Sequence, residues 1–107
     1  MIKYRLMKMA KQHPHVKLSL DVMVEPEKTR LPTKEELAEV AKQLQKRRGR
    51  LYGMMFVCFY LPDMVIDAGA FATAHYRDGV AEEVRIMLFH IPEKWQHLTK
   101  ERSDDED

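Results

Sequence analysis

Five histidines are the residues of this chain best able to bind a metal or move a proton near neutral pH. His13 and His15 stand two apart, so in an extended segment both imidazoles project to one side, an acceptable beginning for a metal site. Two ligands do not hold an ion, and neither Cys-x-x-Cys nor His-Glu-x-x-His occurs. No metal is therefore expected. His75 has richer surroundings, in Gly69-Ala70-Phe71-Ala72-Thr73-Ala74-His75-Tyr76. In a strand Phe71, Thr73 and His75 share one face, and Ala70, Ala72, Ala74 and Tyr76 share the other. Thr73 beside His75, with Asp63 or Asp67 from the preceding loop, has the composition of a small-molecule or hydrolytic site. The plainer reading is a polar outer face on a sheet whose alanines pack inward on a helix.

The other reactive types are less specific. Cys58, the single cysteine, lies in Phe56-Val57-Cys58-Phe59, where a thiol reads as a small buried hydrophobe. Ser19 and Ser103 have no nucleophile-elbow context, and the four glycines form no phosphate-binding loop, so neither a catalytic residue nor a cofactor is expected. Lys46-Arg47-Arg48-Gly49-Arg50 is the one basic cluster. It suits phosphate contact, but it also suits the C-terminal end of a helix, where cations are favoured in any case. Eight methionines, among them Met54, Met55, Met64 and Met87, offer either adaptable contact surface or core filling.

These side chains need a scaffold. Within residues 2–10, Ile2, Tyr4 and Leu6 alternate with Lys3 and Arg5 as in a half-buried strand, while Met7-Lys8-Met9-Ala10 would suit a helix equally well. After His13-Pro14-His15, the segment Val16 to Glu25 places Val16, Leu18, Leu20, Val22 and Val24 on one face, the clearest strand in the chain. Thr33 and Glu36 form a capping box ahead of Leu37, Val40, Ala41 and Leu44, an apolar helical stripe. Gly49 is placed to end that helix in a left-handed conformation. Leu51 to Leu61 is almost wholly apolar, which predicts a central strand covered on both faces. A strand over Phe71 to Arg77, a hairpin at Asp78-Gly79 and a strand through Val84, Ile86 and Leu88 follow. Residues 91–100 suit a short helix.

The expected fold is therefore α+β: a mostly antiparallel sheet of about five strands in the order β-β-α-β-β-β, with one main helix on one face. At 107 residues there is room for a single domain, taken as residues 1–100, with residues 101–107 an acidic disordered tail. Eighteen Lys and Arg against seventeen Asp and Glu leave a formal charge of +1, which argues against a dedicated nucleic-acid binder. The N-terminus lacks the apolar core of a leader, and the longest apolar run, Met54 to Leu61, is too short to span a bilayer. A soluble, cytoplasmic protein with no membrane contact is expected.

Tyr60-Leu61-Pro62-Asp63-Met64, followed by Gly69-Ala70-Phe71-Ala72-Thr73-Ala74-His75-Tyr76, resembles a pattern of small uncharacterised bacterial domains. Their pattern reads approximately Tyr-Leu-Pro-x-Met, a gap, then Gly-Ala-Trp-Ala-Thr-x-His-Phe. Phe71 stands here for the tryptophan and Tyr76 for the phenylalanine, and the likeness extends to the preceding helix, about half the chain. Members often follow a secretion or lipoprotein leader, whose apolar core is not seen in Met1 to Leu6. The resemblance implies the same element order and no particular activity, so it assigns no functional residues.

The function expected first is a non-enzymatic module that binds a protein partner, or a second copy, through its sheet face or edge near residues 60–76. Tyr60, Asp63, Met64, Asp67, Phe71, Thr73, His75 and Tyr76 are its candidate contacts. The alternative is the small-molecule or hydrolytic site around Asp63, Asp67, Thr73 and His75. The third reading is a nucleic-acid accessory protein using Arg47, Arg48 and Arg50.

Overall fold

Alternation of apolar and polar residues decides the first half of the fold. The computed structural model describes residues 1–12, 16–27, 30–66, 68–88 and 91–98. Strand β1 (Tyr4–Gln12) pairs antiparallel with β2 (Lys17–Val24). Leu18, Leu20, Val22 and Val24 of β2 are all buried, whereas Val16, expected in the same row, precedes the strand and is 48% exposed. Opposite Leu6 and Lys8 the β1–β2 register slips, leaving Met7 as a bulge.

Helix α1 (Lys34–Leu44) starts as its sequence requires. The Glu36 N–H donates to Thr33 Oγ1 at 3.1 Å, and the Thr33 N–H donates to Glu36 Oε1 at 3.0 Å. Leu37, Val40, Ala41 and Leu44 are the face it buries against the sheet. The helix does not end on a left-handed glycine. It runs on into a π turn, Gln45–Gly49, followed by Arg50 in a right-handed helical conformation. Gly49 is needed there for space: a Cβ would lie 2.8 Å from Met55 Sδ and closer still to the Gln45 side-chain oxygen. The glycine lets the helix end approach the next strand.

That strand, β3 (Met54–Tyr60), lies parallel to β2, because the helical connection returns the chain in the same direction. β4 (Ala72–Arg77) pairs antiparallel with β3. Asp78 and Gly79 both have positive φ, 50° and 79°, as a two-residue type I′ hairpin demands. The returning chain pairs with β4 in two pieces, β5 (Val80–Ala81) and β6 (Arg85–Ile86), whose registers differ by one residue. One bulged strand thus replaces the continuous strand expected through Leu88. The sheet order is β1-β2-β3-β4-β5 with β6 also on β4, and only the β2–β3 pair is parallel. A short helix α2 (residues 93–98) closes one end of the core. There Leu98 is buried, and Trp95 Nε1 donates to the Pro62 carbonyl at 3.2 Å.

The architecture is α+β, and the core lies between α1 and one sheet face. Among the described residues no helix is long and apolar enough to cross a membrane. β3 is central, as its composition predicts, but it is covered on one face only. Met55, Val57 and Phe59 are buried under the helix, whereas Met54, Phe56 and Cys58 are only partly buried on the other side. Among the described residues no element packs over that second face.

Candidate functional site

The uncovered face is built by strand alternation. β2 contributes Lys17, Ser19 and Asp21, β3 contributes Met54, Phe56 and Cys58, and β4 contributes Thr73, His75 and Arg77. Pairing sets these in rows. Ser19, Phe56 and His75 lie side by side in one row, and Asp21, Cys58 and Thr73 in the next. Cys58 is thus partly buried on this face and not one of the fully buried core residues.

Phe56 and His75 form its centre, with ring centroids 4.4 Å apart and planes tilted by 34°. Lys17 Nζ sits 5.8 Å from the Phe56 ring centroid, within cation–π range. Glu82 approaches from the far side. Its N–H donates to the His75 carbonyl at 2.8 Å, which places its carboxylate 3.8 Å from His75 Nδ1 and 3.2 Å from Arg77 Nε. The imidazole therefore has an aromatic ring on one side and a carboxylate on another, and its side chain is 52% exposed. An imidazole this open to water does not sit in a dry, enclosed site.

The residues expected from the sequence separate into three environments. Thr73 and His75 lie together on the open face. Phe71 does not join them: it precedes β4, donates its N–H to the Phe59 carbonyl at 2.8 Å, and is fully buried. Tyr60 is also buried, at 4% exposure. Substitution at either position would therefore report on folding before it reported on a surface. Tyr76 shares the alanine face toward the helix, where burial and the nearby Glu39 carboxylate raise its phenol above the ordinary value.

Asp63 and Met64 belong to the turn after β3. Asp63 has φ 74°, and its carboxylate pairs with Lys94 Nζ at 2.6 Å. Met64 Sδ accepts from the Leu61 N–H at 3.3 Å. Asp63 thus closes the α2 end of the molecule, while His75 lies level with Phe56 in the middle of β3. The acid that faces His75 is Glu82. Asp67, His13, His15 and residues 99–107 lie outside the described residues. Among those described, no cluster of three or more His, Cys, Asp or Glu side chains is arranged to hold a metal. Arg47, Arg48 and Arg50 are exposed where the π turn ends, and Arg48 reaches across to Met9 Sδ at 4.0 Å.

Strand alternation alone would have put Phe56 beside a β4 residue. Glu82 carries no comparable signal, since its position depends on the bulge that splits the returning strand. No family model, curated protein or solved structure matches the chain.

Proposed function

We propose that the protein is a non-enzymatic binding module that recognises another protein through the open face of its sheet. The supporting observation is that this face carries Met54, Phe56 and His75 at its centre with no covering element among the described residues. Its composition is that of an interface: methionine and aromatic residues in the middle, and arginine toward the rim at Arg77 and Arg85. Thr73 and His75 are the two residues of the 60–76 segment that contribute to it. The catalytic alternative has less support, because Asp63 pairs with Lys94 at the α2 end of the molecule and does not converge with His75.

The partner chemistry follows from the rim. Lys17 and Arg85 flank the apolar centre, with Arg77 paired to Glu82 beside them, so the matching surface is apolar with acidic residues opposite Lys17 and Arg85. The experiment is affinity purification followed by titration of the purified partner. His75→Glu combined with Arg77→Glu is expected to weaken binding at least tenfold, while Val65→Ser, at an exposed position in the loop after β3, leaves it unchanged. Equal affinity of the charge-reversed and unaltered proteins for every purified partner would refute the open face as the recognition surface.

A further inference from the structure

The strongest feature outside the open face is a groove on the helix side of the sheet, where α1 stops short of the edge strand. Ile2, Tyr4 and Leu6 form its floor and are only partly buried, since α1 covers β2 and its neighbours and leaves β1 partly bare. Two cavities lie over this floor. One, of about 600 Å³, is bounded by Tyr4, Leu6, Leu44, Arg47 and Arg48. The other, of about 350 Å³, is bounded by Met1, Ile2 and the carboxylates Glu27, Glu35, Glu36 and Glu39. The groove therefore changes sign along its length, because acids occupy the start of α1 and bases its end, as the helix dipole favours.

Beside this groove runs a backbone edge with which no strand pairs among the described residues. β1 is terminal in the sheet order and has nine residues. The Glu25 N–H donates to the Lys3 carbonyl at 3.0 Å, so Lys3 and Arg5 turn their backbone groups toward β2. By alternation Tyr4 and Leu6 turn theirs outward, and their side chains point to the groove. A strand added here would bond to Tyr4 and Leu6 and lay every second side chain into the two cavities.

A second copy of β1 is a poor occupant. Residues 1–12 contain Lys3, Arg5, Lys8 and Lys11 and no acid, so two such edges repel. We infer that the β1 edge and its groove bind an extended segment of a partner protein that carries an acidic residue toward Arg47 and Arg48 and a basic residue toward Glu35 and Glu39. The charged ends of the groove are separated by most of α1, roughly 15 Å at 1.5 Å per residue. An extended chain spans that in four or five residues at about 3.3 Å each. Antiparallel addition, the more stable pairing, puts the acidic residue first in the partner's sequence. This site is on the opposite face from Phe56 and His75 and does not depend on the role proposed for them.

The test is selection of nonapeptides from a displayed random library on the full chain. The expected winners carry Asp or Glu four positions before Lys or Arg, an even spacing that turns both side chains to the groove, with an apolar residue midway between them. Hydrogen exchange at the Tyr4 and Leu6 amides should slow when they bind. Arg47→Glu with Arg48→Glu should weaken the winners at least tenfold, and Arg47→Ala with Arg48→Ala should weaken them less. His75→Glu with Arg77→Glu should leave them unchanged. Peptides without the charge spacing, protection on the open face, or binding indifferent to the arginines would each overturn the assignment.

Discussion

At the scale of single residues, the sequence is most readable where the determining interaction is local. Thr33 and Glu36 are three positions apart, and the capping box that their spacing predicts is present. Arg30 adds a contact that spacing alone does not show, its Nη2 lying 3.2 Å from Glu36 Oε2. That hydrogen bond, with the backbone N–H of Thr33, holds the Glu36 carboxyl below the ordinary glutamate range. A depressed folded-state value stabilises the fold above the ordinary range, and that contribution is lost as the pH falls through the depressed value. Urea midpoints measured from pH 6 to 3 should therefore show Glu36→Gln destabilised at the upper end and converging on the unaltered protein at the lower. Thr33→Ala should cost about 1 kcal/mol at pH 6, and a parallel pair of curves for Glu36→Gln would contradict the assigned cause. Phe71 was less legible. It satisfies the alternation of Thr73 and His75, but the backbone bends before β4 begins, and the ring enters the core. Periodicity assigns a face only to residues inside the strand.

Among the elements, β2, α1 and the Asp78–Gly79 hairpin follow from period and cap residues, and each is found where expected. The run from Leu51 to Leu61 shows where such reading stops. Continuous apolarity predicts a strand buried on both faces, yet half of β3 faces away from the helix and is shielded only by neighbours such as Lys17 and His75. Gly49 is a second case. Its place after the helical stripe predicts a terminating glycine, whereas its role is to admit the Gln45 and Met55 side chains. Gly49→Ala sets the gain from a better helix former, about 1 kcal/mol, against overpacking of about 1–3 kcal/mol. Net destabilisation is the expected result. In a Met55→Ala background one of the two obstructions is gone while the Gln45 side chain still crowds the position, so the same substitution should cost less there. A double-mutant cycle by chemical denaturation checks this coupling, and additivity of the two substitutions would argue against the contact.

At the scale of the whole molecule, the fold class was legible because paired strands, a capped helix and a hairpin permit few arrangements. The two proposed binding surfaces were not, since each depends on what a neighbouring element leaves uncovered. α1 covers one face of the central strands but not all of β1, and no local pattern encodes that shortfall. The parallel β2–β3 pair carries a kinetic consequence. Its strands meet only after the chain has passed through α1 and the π turn, so the entropy of closing that loop comes before most of the core can form. The β1–β2 and β4–β5 hairpins close locally and do not face that barrier. Val57→Ala, on β3 under the helix, should therefore slow refolding in stopped-flow measurements. Leu98→Ala, at the closing helix, should chiefly speed unfolding. Equal partition of both effects between the two rates would place the late step elsewhere. If the order holds, a nascent chain exposes the apolar faces of two small hairpins until β3 docks, and the cations of β1 then serve to keep that waiting edge from joining another copy of itself.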